Sequence, residues 1–258
     1  MKIAIFSDVH ANLPALQAVI ADIQKQQPDE VYCLGDLVNF APWPNEVIEL
    51  IRDQNIPTLC GNHDLAIGLG HNEFPFSWHS PEEHQAGLKA IEYTNAILTD
   101  ENRNYLQALP KFIRPDIRPV SDAHLLLTHG SPRSVGEYVF EDFAEDVLLK
   151  IMDDYVVTDI LVMGHTHRPY HRQFLEGKRY KHAINVGSVG KPKDGDSRAA
   201  YIILTLQAGL TMSGPKHLPG KTGIIVEIKR VEYDIQKTRE AILKSRIPNL
   251  YADQLINA

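Results

Sequence analysis

Lys2-Ile3-Ala4-Ile5-Phe6-Ser7-Asp8-Val9-His10 (KIAIFSDVH) opens the chain with a short apolar run that stops on an Asp-x-His triplet. The run has the length and composition of a buried strand. Four more segments repeat the design. Val31–Leu34 precedes Gly35-Asp36, and Ile56–Cys60 precedes Gly61-Asn62-His63-Asp64. His124–Leu127 precedes Thr128-His129-Gly130, and Ile160–Met163 precedes Gly164-His165-Thr166-His167. In open α/β sheets, ligands bind beyond the carboxyl ends of the strands. Five donor-bearing strand ends therefore predict one site assembled from five loops. The donors Asp8, His10, Asp36, Asn62, His129, His165 and His167, with His63 beside them, suit two divalent metal ions.

Between the first runs the apolar spacing becomes helical. Leu13, Leu16, Val19, Ile20 and Ile23 predict a helix over Leu13–Gln26, with Asn12 as N-cap and Pro14 in the first turn. Pro44–Asp53 predicts a second helix. With strands at Lys2–Phe6, Val31–Leu34 and Ile56–Cys60, this is a β-α-β-α-β rhythm of parallel strands and right-handed crossovers. From about residue 65 to 120 the pattern is helical instead. Ser80-Pro81-Glu82-Glu83 is a capping box opening a helix to roughly Leu98, and a shorter helix spans Glu101–Leu109. That stretch is too short to bury a core of its own, so it reads as an insertion beside the site.

The C-terminal half predicts a helix near Glu141–Asp154, then hairpins. Tyr170–Leu175 pairs with Arg179–Ile184, and Ala200–Leu206 with Leu210–Met212. A strand over Gly223–Tyr233 and a helix over Asp234–Ser245 follow. The expected fold class is α/β (α+β): a four-layer sandwich of two mixed β-sheets face to face, flanked by helices. All 258 residues form one expected domain, carrying the helical insertion.

Composition narrows the partners. The formal net charge is −7 and no Lys/Arg run occurs, which argues against a nucleic-acid footprint. The first apolar run is too short for a signal-peptide core, and no later one is long enough to cross a membrane. Cys33 and Cys60 sit inside apolar runs as small buried hydrophobes of a reducing compartment. These features together predict a cytoplasmic protein.

Asp8 and His10, two apart on an extended segment, would point to one side and could share a metal. His165 and His167 either share a metal or serve two. A carboxylate such as Asp36 is a natural bridge. Oxygen donors mixed with imidazole favour Mn, Fe, Co, Ni or Zn over Ca or Mg, and the lack of Cys argues against a structural zinc. Two such ions would hold residual positive charge, attract phosphate oxygens and hold a deprotonated water. His63 is then left as general acid or electrostatic stabiliser near a leaving group, or as support for Asn62. Arg168 is either a phosphate clamp or a surface residue. Phe74, Phe76, Trp78 and Tyr93, with His71, His79 and His84, form either a stacking wall for substrate or a small satellite core. Gly187 and Ser188 either approach the site or make a tight turn.

The motifs D-x-H, G-D, G-N-H-D, H and G-H-x-H, in that order, resemble the calcineurin-like metallophosphoesterase superfamily. Gly35–Val47 (GDLVNFAPWPNEV), Thr128–Pro132 (THGSP) and Asn185–Ala200 (NVGSVGKPKDGDSRAA) look like its small prokaryotic phosphodiesterase branch. The resemblance implies a two-sheet sandwich and two metals. Asp8, His10, Asp36 and His167 would hold the first, Asp36, Asn62, His129 and His165 the second, with Asp36 bridging and His63 contacting the scissile phosphate. It implies hydrolysis of a small phosphate ester, either a phosphodiester or a nucleotide. Phosphomonoesterase, dinucleoside polyphosphate hydrolase and a non-catalytic interaction module are the alternatives. Asn39 and Phe40 stand where the protein Ser/Thr phosphatase branch has an acid and an arginine. The acid that orients the histidine there is therefore missing, leaving Asp64 to orient His63 or to brace its loop.

Overall fold

The computed structural model describes residues 1–74, 80–118, 120–154, 157–177, 179–207 and 223–257. In chain order the elements are β1 (Lys2–Phe6), α1 (Leu13–Gln26), β2 (Glu30–Cys33), α2 (Pro44–Asp53), α3 (Asn62–Gly68), α4 (Pro81–Ile97), α5 (Asp100–Ala108) and β3 (Phe112–Ile113). Then follow β4 (Leu125–Thr128), α6 (Glu145–Asp154), β5 (Ile160–Met163), β6 (Tyr170–Glu176), β7 (Arg179–Asn185), β8 (Ala199–Leu206), β9 (Ile224–Val231), α7 (Ile235–Leu243) and α8 (Leu250–Gln254).

Two mixed sheets result, ordered β2-β1-β8-β9 and β3-β4-β5-β7-β6. β1 pairs parallel with β2, and β4 parallel with β5. The alternation along β1 sorts its side chains to two faces. Ile3 and Ile5 pack with Leu125, Leu127, Ile160, Val162 and Ile202 between the sheets. Ala4 and Phe6 pack with Leu16, Val19 and Ile23 of α1. On the far side of the second sheet, Leu126, Leu161 and Met163 cover Leu148 and Met152 of α6. The layers thus run helix, sheet, sheet, helix, as the fold class requires.

The 65–120 segment shares the main core: Phe74, Ile91, Leu98 and Leu106 join the cluster that holds Phe6 and Leu16. Phe74, only 3% exposed, belongs to that core and is no open stacking wall. Phe76, Trp78 and His79 lie outside the described residues, as do Leu210–Met212. Ala86 and Ala90 of α4 also meet Ile242 of α7 and Tyr251 of α8.

Two expectations about the elements are corrected. Ile56–Cys60 is not a full strand; it joins β2 only through one bridge, Cys33 to Thr58. Pro57 has no N–H to continue the ladder, and the Cys60 N–H turns away to the Pro110 carbonyl at 2.7 Å. The helix near Glu141 begins at Glu145. A short helix, α8, was not foreseen. Cys33 and Cys60 are both buried and free. Among the described residues, no helix is long and apolar enough to cross a membrane.

Candidate metal centre

The loops after β1, β2, β4 and β5 and the start of α3 converge, bringing all eight candidate residues together. His10 Nε2 lies 3.1 Å from His167 Nε2, and Asp8 Oδ1 is 3.2 Å from His167 Nε2. His129 Nε2 lies 3.1 Å from Asn62 Oδ1 and 3.2 Å from Asp36 Oδ2. The His129 and His165 rings are 5.1 Å apart, and His63 Nε2 is 4.0 Å from Asp36 Oδ2. Asp8, His10 and His167 offer donor atoms within 4.8 Å of one another; so do Asp36, His129 and His165, and a third group joins His10, Asp36 and His63.

The backbone that achieves this is not the extended one expected for Asp8 and His10. Asp8, His10, Asp36, His165 and His167 all have positive φ, between 48° and 66°. Each such non-glycine residue costs about 1–3 kcal/mol. The cost is offset by bonds between loops: the N–H groups of Asp8, His10 and Ala11 donate to the carbonyls of Gly35, Asp36 and Leu37 at 3.0, 2.9 and 2.8 Å. The loops also pack without spare room. A Cβ on Gly35 would lie 2.3 Å from the Gly61 nitrogen, and one on Gly61 2.1 Å from Asp36 Oδ1.

The donor atoms fit a cation. Asp8 Oδ2 accepts from the His165 N–H at 2.9 Å, and Asp36 Oδ1 from the His63 N–H at 2.8 Å. Their other oxygens, Asp8 Oδ1 and Asp36 Oδ2, are buried without a hydrogen bond, as is His165 Nε2. His10, His129 and His167 each use Nδ1 to donate to a backbone carbonyl, of Val38, Leu34 and Lys191, at 3.2, 2.7 and 2.5 Å. A carbonyl only accepts, so Nδ1 carries a proton and Nε2 is the nitrogen that faces the centre, the arrangement of metal-bound histidines; on His129 the neighbouring carboxylates also hold a proton on Nε2, which a metal would displace. Lone pairs converging on one another and on carboxylate oxygens repel unless a cation lies among them.

Protonation follows the same crowding. Burial works against charge on His129, yet the Asp36 and Asp8 carboxylates raise it to about 10. Burial and neighbouring imidazoles push His10 and His63 well below their ordinary range, and burial with His129 lowers His165 to about 3. Asp64 is raised to about 7 by burial and by Asp36.

Asp64 does not orient His63. Its two oxygens accept from the N–H groups of Leu37 and Gly61 at 2.8 and 3.0 Å, which braces the two loops. Asn39 takes the orienting place instead: its Nδ2 lies 3.1 Å from His63 Nδ1, and its Oδ1 accepts from Thr94 Oγ1 of α4 at 3.3 Å. Ser188 approaches the site, donating from Oγ to the Asp8 carbonyl at 2.8 Å. The Arg168 Nε donates to the Lys193 carbonyl at 2.9 Å, which anchors its loop.

Sequence reading missed the aromatic and basic surroundings. Phe40 packs its ring 4.9 Å from His10 and 4.8 Å from His63, and Tyr138 lies 4.0 Å from His165. The Tyr251 ring lies 4.7 Å from that of Phe40, tilted by 33°, and Lys191 lies over both rings. Gly190-Lys191-Pro192-Lys193, a basic pair after a tight turn, was the available signal.

Residues 1–209 match the family model described as the calcineurin-like phosphoesterase superfamily domain. The chain belongs to that superfamily. Its members typically bind divalent metals, and the Asp/His clusters here could hold them. An uncharacterized protein of Methanocaldococcus jannaschii is 34% identical over 266 residues, spanning 98% of this chain and 96% of that one. The crystal structure of a metallophosphoesterase from Sphaerobacter thermophilus is 28% identical, with a TM-score of 0.72 over 100% of this chain and 98% of that one. A hypothetical protein from Pyrococcus horikoshii shares the fold: 21% identity, TM-score 0.77, 98% of this chain and 97% of that one. Family membership and the metallophosphoesterase neighbour indicate a phosphoester hydrolase. Tyr251 lies beyond the matched residues yet reaches the wall of the centre.

Proposed function

We propose that this phosphoesterase works with two divalent ions and hydrolyses small phosphodiesters or nucleotides. Asp8, His10, Asp36 and His167 would hold one ion, and Asp36, Asn62, His129 and His165 the other, with Asp36 shared. One observation carries the reading: the buried, unbonded oxygens Asp8 Oδ1 and Asp36 Oδ2 face the Nε2 atoms of backbone-anchored histidines. Mn, Fe, Ni, Co and Zn all suit this donor set.

Bound there, the ions would neutralise phosphoryl oxygens and acidify a water. The chain's own residues do the rest. Asp36 uses Oδ1 to fix the His63 backbone, so the histidine and the cluster keep one spacing. Asn39 donates to His63 Nδ1, so the proton resides on Nε2, the nitrogen that faces Asp36 across 4.0 Å. That N–H is placed to donate to the phosphoryl or leaving-group oxygen as charge develops on it. The shared core of the 65–120 segment supports a single domain, and the two free buried cysteines support a reducing, cytoplasmic compartment.

Metal-loaded protein should hold about two ions per chain by elemental analysis and cleave bis(p-nitrophenyl) phosphate. Absence of turnover with Mn, Ni, Co and Fe each supplied would sink the reading. His63→Ala should lose rate and keep its metal, whereas Asp36→Ala should lose both ions.

A further inference from the structure

Lys191 and Lys193 stand on the loop between β7 and β8, with the Glu83 carboxylate acting on both from outside ion-pair contact among the described residues. The contacts of Lys191 are aromatic instead. Its Nζ lies 4.2 Å from the centre of the Phe40 ring and 5.0 Å from that of Tyr251. Phe40 in turn abuts His10 and His63, so the ammonium is one ring away from the candidate centre.

Backbone bonds fix the main chain of this loop against the centre. The Lys191 N–H donates to Ser188 Oγ at 2.8 Å, and its carbonyl accepts from His167 Nδ1. The Lys193 N–H donates to the His167 carbonyl at 3.3 Å. A Cβ on Gly190 would sit 1.8 Å from the Val9 carbonyl, so loop and centre are in direct backbone contact.

Burial works against the charge on Lys191, the Glu83 carboxylate favours it only from beyond ion-pair distance, and a cation–π contact returns only about 0.5–2 kcal/mol. Divalent ions nearby would add to the positive charge. In a chain with net charge −7, this local excess of cations calls for an anion that arrives with the substrate.

We infer that Lys191 and Lys193 form an anion subsite beside the metal centre that takes a second phosphoryl group, selecting phosphoanhydride-bearing nucleotides over simple diesters. This rests on the phosphoesterase reading above. Lys191, seated on Phe40 and Tyr251, would hold the phosphoryl group adjacent to the one cleaved, and Lys193 would contact it from the solvent side.

The test titrates inorganic phosphate and inorganic pyrophosphate into Mn-loaded protein by calorimetry, with metal content checked after each run. Wild type should bind pyrophosphate ~10-fold or more tightly than phosphate. Lys191→Gln and Lys193→Gln should each shrink that ratio and together bring it to about 2-fold or less, with phosphate affinity changing less. Lys193→Gln, an exposed change, tests the idea if Lys191→Gln folds poorly. A wild type without preference, or a double variant that keeps it, overturns the subsite. If the phosphoesterase reading itself is wrong, the outcome differs: phosphate does not bind and no metal is retained.

Discussion

Asn39 Nδ2 lies 3.1 Å from His63 Nδ1, and this contact determines which nitrogen of His63 faces the centre. Asn39 itself is fully buried and in a left-handed conformation, φ 77°, with its carbonyl oxygen engaged by Thr94 Oγ1. Asn39→Ala frees the imidazole to rotate and change tautomer. It should lower kcat by about 10–100-fold, with KM changed little. The loss should be larger for phenyl esters than for p-nitrophenyl esters, because the poorer leaving group depends more on the His63 N–H. Equal losses on both would reduce Asn39 to a packing role. Thr94→Val should show the same leaving-group trend, weaker in size.

Gly61→Ala places a methyl group 2.1 Å from Asp36 Oδ1. Asp36 must then give up its bond to the His63 N–H, and the G-D and G-N-H-D loops must separate. We expect a stability loss of about 1–3 kcal/mol together with a fall in bound metal, read by thermal denaturation and elemental analysis. Full metal content with a lowered midpoint would show that the loop spacing does not govern the site.

Asp64→Ala orphans the buried N–H groups of Leu37 and Gly61. Each unmet donor costs about 1–3 kcal/mol. Chemical denaturation should show the loss. Because both Asp64 oxygens are taken up by the Leu37 and Gly61 N–H groups, leaving-group dependence should stay as in wild type, in contrast to Asn39→Ala.

His129 sits at about 10 in the metal-free protein, above its ordinary value. A histidine raised on folding contributes stability that is fully present below about pH 6.5 and lost as pH climbs to about 10. Metal must displace this proton, so affinity for Mn²⁺ should rise through the same window, with proton uptake by the buffer on binding. Calorimetry at pH 8 in two buffers of different ionisation enthalpy measures the released proton. Identical heats in both buffers would contradict the assignment.

The elements were legible where local pattern is enough. β1, α1, α2 and β5 fall where apolar spacing and caps predict them, because one buried face dictates one periodicity. Ile56–Cys60 failed because an apolar run containing Pro57 can be buried beside a strand without forming one. For the aromatic cluster the sequence left a stacking wall and a packing core open, and only tertiary contacts put Phe74 in the core.

The sequence by itself determined which residues are candidate donors and pointed to the two-sheet architecture, since donor type and strand ends are local properties that survive without coordinates. Only the tertiary structure decided how the donors aim. The left-handed backbone at Asp8 and His10 is imposed by bonds to Gly35, Asp36 and Leu37. The orientation of His63 comes from Asn39, 24 positions away, which is itself held by Thr94, 55 positions from Asn39. Lys191 and Tyr251 reach the wall of the centre through loop closure and C-terminal helix packing. Such contacts depend on the relative placement of whole layers, which no short window of residues encodes.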